Sequence, residues 1–140
     1  MESPTPPPPA PATTKSVTSA PTFAGGRNIA MKVPPHEWEA TVAFYRDALG
    51  LAVIEHAPTV PPSVCFAFGA NRLWIDRVDA MSQAELWLEV TTDDAPAAAA
   101  HLAAAGVVRR DEIEPLPGAF AGFWVQNPAS IIHIVAQRDG

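Results

Sequence analysis

Two short apolar runs, each interrupted by one charged residue, resemble each other and lie about 57 residues apart. They are Ile29–Val33 (IAMKV) and Leu86–Val90 (LWLEV), and each is followed by a helix start and then by a helix stop at glycine. After each glycine come further apolar runs bounded by turn residues. The pattern therefore predicts one unit of strand, helix and three strands that occurs twice in the chain.

The two helices are predicted from apolar spacing and from end signals. The first should cover about residues 37–49, because its apolar residues recur every three or four positions and Gly50 follows. The second should begin at Asp94, a favourable N-cap residue with Pro96 in the first turn, and should end at Gly106.

Strand alternation divides the predicted sheet into two faces. One face is apolar on the first and fifth strands and should receive the helices; it comprises Ile29, Met31, Val33, Leu86, Leu88 and Val90. The opposite face carries charged residues and tryptophans, namely Lys32, Arg72, Trp74, Asp76, Glu85, Trp87 and Glu89, with Trp124 as a further candidate. Tryptophans among charges indicate a concave pocket or an interface rather than a solvated surface.

Composition separates the N-terminal segment from the rest. Seven of the 16 prolines fall within residues 1–26, which we predict to be a disordered proline-rich leader or, alternatively, a PxxP-type ligand for a partner domain. Residues 27–140 should form one domain, with repeats at about 27–78 and 84–137. The net charge of −6, without a block of basic residues, argues against nucleic acid and membrane partners. The single cysteine rules out a disulfide within the chain.

Three segments resemble the vicinal-oxygen-chelate superfamily, which includes glyoxalase I, the bleomycin and fosfomycin resistance proteins and the extradiol dioxygenases. They are Val42–Leu51 (VAFYRDALGL), Asp93–Gly106 with its alanine-rich helix, and Gly122–Pro128 (GFWVQNP). The resemblance covers about residues 27–137. It implies an α+β fold in which two tandem βαβββ modules form a cupped mixed β-sheet with the helices on the convex side. It also implies a homodimer, and we expect a cytoplasmic protein.

The resemblance further implies where a metal ion would bind, through one side chain each from the first, fourth, fifth and eighth strands. These positions hold Asn28, Asp76, Glu85 and Ile134, where metal-dependent members usually have His, Glu, His and Glu. Ile134 cannot ligate a metal and Asn28 is a weak donor. We therefore expect no cofactor; the alternative is Mg²⁺, Mn²⁺ or Ca²⁺ held by the three oxygen-bearing residues.

Two functions remain open. The first is metal-free binding or sequestration of a small molecule in an acidic, tryptophan-lined cleft, where a cationic or flat aromatic ligand would suit the residues. The second is a lyase, isomerase or dioxygenase that depends on a divalent metal. Asp76 and Glu85 are candidates for a general base if they face each other. Lys32 and Arg72 could instead pair with the carboxylates and give them a purely structural role. Whether the protein is an enzyme stays open.

Overall fold

The computed structural model describes residues 20–57 and 62–138. These residues form one eight-stranded mixed sheet with helices on one face, in the strand order β2-β3-β4-β1-β5-β8-β7-β6. The elements in chain order are β1 (Phe23–Val33), α1 (Pro35–Ala43), a π-helical turn (Phe44–Ala48), β2 (Val53–Ala57), β3 (Ser63–Phe68), β4 (Asn71–Arg77), β5 (Glu85–Thr92), α2 (Ala95–Ala104), β6 (Val108–Arg109), β7 (Gly122–Gln126) and β8 (Ile132–Gln137). The predicted α+β fold of two tandem βαβββ modules is confirmed.

The two modules join at the centre of the sheet, where β1 and β5 run antiparallel. Within each module the first and last strands are parallel neighbours, β1 with β4 and β5 with β8. Ala30 of β1 lies directly opposite Trp87 of β5, and these two positions are equivalent in the sequence repeat. An approximate two-fold axis therefore passes between them and relates one module to the other.

The first helix begins earlier than predicted and ends as predicted. Pro35 occupies a first-turn position, where its fixed φ suits the helix and its missing N–H is not needed. The segment Phe44–Ala48 continues α1 as a π-helical turn, and Gly50 follows with φ +67°. The indole N–H of Trp38 donates to the carbonyl of Ile75 at 3.1 Å, which attaches the helix to β4.

The second helix has the predicted ends. The Asp94 carboxylate accepts the N–H of Ala97 at 3.0 Å, which is an N-cap hydrogen bond. A second free N–H of the first turn, that of Ala95, donates to the Gln137 side chain at 2.7 Å. After the helix, Gly106 adopts φ +81°, the left-handed conformation that favours glycine.

The convex face is only partly covered by the helices. In the first module, Ile29, Met31 and Val33 belong to or pack against the core under α1, as expected. In the second module, α2 packs over β7 and β8, with Ala98, Phe123, Val125 and Val135 forming the core. Leu86 and Leu88 of β5 are therefore left 46% and 38% exposed. The expectation that a helix covers this part of β5 is wrong.

The first strand begins before the predicted domain boundary. Phe23 pairs with Thr92 and Gly25 with Val90, so the last four residues assigned to the leader belong to the sheet. The remainder of the predicted leader, residues 1–19, lies outside the described residues. Across the described ranges, no helix is long and apolar enough to cross a membrane.

Candidate ligand-binding site

Two tryptophans at the centre of the concave face are buried. Trp87 and Trp124 contact each other edge to face, with ring centroids 5.2 Å apart and planes at 71°. Ile113 and Leu116 pack against them. These two belong to the connection between β6 and β7, residues 110–121, which folds back over the concave face. The predicted ligand-binding role of both tryptophans stays a prediction, but in this conformation they form a core rather than an open wall.

Lys32 lies beside this core with its ammonium group enclosed by the protein. The residue is only 4% exposed. Its Nζ is 2.8 Å from Asp76 Oδ2 and 3.0 Å from Glu114 Oε1, and 4.4 Å from the centroid of the Trp87 ring. A buried ammonium needs partners of this kind, because burying an unpaired charge is very costly.

The two carboxylates proposed as a general-base pair are separated by this lysine. In the strand register, Lys32 of β1 lies between Asp76 of β4 and Glu85 of β5, so the backbone positions of the two acidic residues are two strand spacings, about 10 Å, apart. The Asp76 carboxylate also accepts the Ser63 hydroxyl. The Glu85 carboxylate accepts the indole N–H of Trp87 at 2.9 Å. Each carboxylate thus has its own partners, and the general-base role stays a prediction.

At the other end of β1, Asn28 and Glu89 form a hydrogen-bonded pair. The Asn28 side-chain amide donates to both carboxylate oxygens of Glu89 at 3.2 Å, and the Asn28 backbone N–H donates to Oε1 at 3.1 Å. The Asn28 side-chain oxygen accepts the indole N–H of Trp74 at 2.9 Å. Gly26 makes room for this arrangement, because a Cβ there would lie 2.1 Å from Oε1 of Glu89.

The residues at the four metal positions do not fit a divalent cation. Ile134 offers no donor atom, and the Asn28 oxygen is already engaged by Trp74. Asp76 faces the Lys32 ammonium, a positive charge that would repel a cation bound to the same carboxylate. Elsewhere in residues 20–57 and 62–138, no group of three or more His, Cys, Asp or Glu side chains is placed to hold a metal.

A cleft of about 500 Å³ opens on the concave face at the Asn28 end. Its lining residues include Arg27, Arg72, Arg138, Glu89 and Phe120, and we call it the arginine cleft. Sequence reasoning placed Arg72 and Glu89 on this face but missed the other three. Arg138 follows the last strand and Phe120 lies in the β6–β7 connection, where strand alternation carries no signal.

The arginine cleft is held by contacts at its margins. The Arg72 guanidinium lies 5.5 Å from the Trp74 ring centroid. Arg138 donates to the Thr22 hydroxyl at 2.7 Å. Nearby, Asp93 accepts the backbone N–H of Thr22 at 2.9 Å. This N–H is the main reason that the pKa of Asp93 is lowered, and Arg138 adds a smaller electrostatic contribution.

A second and larger cleft, about 710 Å³, lies on the convex face near the end of α2. Its walls are mostly apolar, with Phe23, Leu102, Val125 and Val135 among them, and His133 is the one ionisable side chain among the described residues that line it. Neither sequence pattern nor module symmetry indicated this cleft.

The paired βαβββ modules and the cupped sheet define the class of protein: the fold is that of the vicinal-oxygen-chelate superfamily. Within it, residues 29–128 match the family model described as a glyoxalase-like domain, and the chain belongs to that family. A search of curated proteins found no match.

Solved structures share this fold at low sequence identity. A methylmalonyl-CoA epimerase from Streptomyces coelicolor, in complex with 2-nitronate-propionyl-CoA, is 16% identical with a TM-score of 0.59, covering 85% of this chain and 97% of that one. A glyoxalase/bleomycin resistance protein/dioxygenase superfamily member from Vibrio splendidus is 15% identical with a TM-score of 0.55, covering 84% and 100%. An Mn(II)-bound glyoxalase from Novosphingobium aromaticivorans is 18% identical with a TM-score of 0.55, covering 81% of this chain and 41% of that one.

Proposed function

We propose that this protein binds a small molecule on its concave face without a resident metal ion. The observation that carries the proposal is the buried Lys32 ammonium, which forms an ion pair with Asp76. In the strand register, Lys32 lies between Asp76 and Glu85. These two carboxylates are the only charged groups among the four metal positions. The chain thus supplies its own cation, the Lys32 ammonium, beside the carboxylates that a metal ion would need as ligands.

Electrostatic repulsion disfavours a metal ion at these carboxylates while the Lys32 ammonium lies beside them. Two unit charges 4 Å apart interact by about 4 kcal/mol at an effective dielectric constant of 20. A divalent cation at that distance from Lys32 would therefore be repelled by about 8 kcal/mol. The alternative is a divalent-metal-dependent lyase, isomerase or dioxygenase, and the Mn(II)-bound glyoxalase among the similar structures is the reason to test it directly.

The test is a metal titration of the purified full-length protein. Metal content is measured by elemental analysis, and the melting temperature is followed with Mg²⁺, Mn²⁺, Ca²⁺, Ni²⁺ and Zn²⁺ at 1 mM. A site with a Kd of 10 μM would stabilise the fold by about 2.7 kcal/mol under these conditions. We expect no bound metal and no such stabilisation. A stabilisation of that size that is lost in Asp76→Asn would overturn the proposal in favour of the metal-dependent alternative.

A variant of Lys32 adds a positive control to the same titration. Lys32→Met keeps the length of the side chain but removes the charge that neutralises Asp76 and Glu114. Divalent cations should therefore stabilise Lys32→Met more than they stabilise the wild type. Lys32→Arg keeps the charge and should behave as the wild type.

We further propose a homodimer formed through the convex face, in the cytoplasm. The support is the apolar surface left by the helices: exposed Leu86 and Leu88, and the large cleft on the same side of the sheet. Apolar surface of this extent is typical of interfaces between copies. Sedimentation at micromolar concentration should show a dimer, and Leu88→Glu should dissociate it; a monomeric wild type would contradict the proposal.

A further inference from the structure

We infer that the ligand of the concave face is a small organic anion, held in the arginine cleft. This inference rests on the proposed function and names the class of ligand. It departs from the cationic ligand that carboxylate positions in the sequence suggested.

Three carboxylates of the concave face already have partners within the protein. Asp76 pairs with Lys32 at 2.8 Å, and Glu85 accepts the Trp87 N–H. Glu89 accepts three hydrogen-bond contacts from Asn28 alone. A cationic ligand would have to compete with all of these contacts, so the negative charges of this face are poorly suited to recognise one.

The charge that lines the arginine cleft is positive. Among the described residues that line it, Arg27, Arg72 and Arg138 accompany a single carboxylate, that of Glu89. Asp93 lies close enough to Arg138 to be affected by its charge, but it does not line the cleft. In a chain whose net charge is −6, a local excess of guanidinium groups marks this cleft as the place where an anion is attracted. Guanidinium groups also match the planar geometry of carboxylates and phosphates.

The cleft also provides space and an apolar wall. Its volume of about 500 Å³ is within the range of small-molecule sites. Phe120 is 41% exposed, and its ring packs over Gly122, where a Cβ would lie 2.4 Å from the ring. An exposed aromatic ring fixed against a glycine can pack against the body of a ligand. The geometry therefore suits an anion with an aromatic or aliphatic body.

The test compares probes that share one body and differ in charge. Benzoate and phenyl phosphate are the anions, benzylammonium is the cation and benzyl alcohol is the neutral reference. Binding to the full-length protein is measured by amide chemical shifts in two-dimensional NMR, at low salt and again at high salt. We expect both anions to shift resonances of the cleft, with affinity falling as salt rises; the stronger of the two identifies carboxylate or phosphate as the preferred group.

Variants with opposite expected effects test the site itself. Arg72→Gln and Arg138→Gln should each weaken benzoate binding about fivefold, because each removes a charge-assisted partner. Glu89→Gln should tighten it about threefold, because it removes the negative charge from the cleft wall while leaving an oxygen for Asn28. Arg109→Gln is the matched control, because Arg109 lies over Phe123 and pairs with Asp111 away from this cleft. The affinity of this variant for benzoate should differ from that of the wild type by less than twofold.

Two results would overturn the inference. If benzylammonium binds more tightly than benzoate, the ligand class is wrong, while the metal-free binding proposed above still stands. If neither anion shifts the cleft resonances at 10 mM, or if the arginine variants bind like the wild type, the cleft is not an anion site. The metal titration uses none of these probes, so it tests the proposed metal-free function independently.

Discussion

Replacing Lys32 by methionine should destabilise the fold substantially, and the structure gives the magnitude. The substitution removes the ammonium that contacts Asp76 at 2.8 Å and Glu114 at 3.0 Å. Breaking a buried ion pair by deleting one partner costs about 3–5 kcal/mol, because the remaining charge is left without compensation. The side chains of Asp76 and Glu114 are 20% and 40% exposed, so water can partly solvate them. We therefore expect about 3 kcal/mol, at the lower end of that range.

Urea unfolding at pH 7 measures this cost directly. Fluorescence should report on the buried pair Trp87 and Trp124, and circular dichroism provides a second probe of the same transition. A loss of 3 kcal/mol also corresponds to a fall in melting temperature of roughly 12 °C for a domain of this size. Glu114→Gln is a milder variant that should lose less, and it keeps the experiment informative if Lys32→Met does not fold.

A surface ion pair supplies the control. Arg46 and Asp47 are 2.8 Å apart but are both more than half exposed, so Arg46→Met should cost far less stability than Lys32→Met. A double-mutant cycle between Lys32→Met and Asp76→Asn should show a coupling energy of at least about 1 kcal/mol. The reasoning is refuted if Lys32→Met costs no more than Arg46→Met, or if the cycle shows no coupling.

Three further predictions concern the elements around the site. Asp94→Ala should lower the free energy of unfolding by about 1 kcal/mol through loss of the α2 N-cap, measured by urea titration with Asp94→Asn as the conservative control. Gly26→Ala should displace the Glu89 carboxylate, because its Cβ would lie 2.1 Å from Oε1, and the Asn28 amide resonances should then shift; unchanged resonances would contradict the contact. The pKa of Asp93 is lowered mainly by the Thr22 N–H, so its contribution to stability is present above its ordinary pKa and is lost as pH falls through the lowered value. The protection factor of the Thr22 amide, which corrects for the slower intrinsic exchange at low pH, should therefore fall as pH falls in the wild type and be already low in Asp93→Ala.

The fold could be predicted because its signals are local and repeated. Asp94 and Gly106 mark the ends of α2 by residue type alone, and both have the expected roles in the structure. Strand alternation also placed Arg72, Asp76 and Glu89 on the face where they lie. Such signals need only neighbouring residues, and the second module repeats those of the first.

The environment of the site could not be predicted because it depends on distant contacts in segments without periodicity. Lys32 and Glu114 are 82 positions apart, and the connection that carries Glu114 has neither helical nor strand spacing. The same connection brings Leu116 onto the cluster that contains Trp87 and Trp124 and Phe120 to the arginine cleft. Counting carboxylates along strands therefore gave an acidic face, while the folded chain pairs Asp76 with Lys32, hydrogen-bonds Glu85 and Glu89, and places arginines beside Glu89.

The approximate two-fold axis at Ala30 and Trp87 makes the two ends of the concave face equivalent in backbone but not in charge. Lys32 and Glu89 occupy equivalent positions of the two modules and carry opposite signs. Around Lys32, the carboxylates of Asp76, Glu85 and Glu114 outnumber one ammonium, whereas arginines prevail at the Glu89 end. The electric field along the concave face consequently has a direction, although the backbone of the two modules is symmetric. A molecule with one charged group, if it binds there as proposed, would have a single favoured orientation. A symmetric repeat of this kind would then distinguish the charged end of such a molecule from its other end.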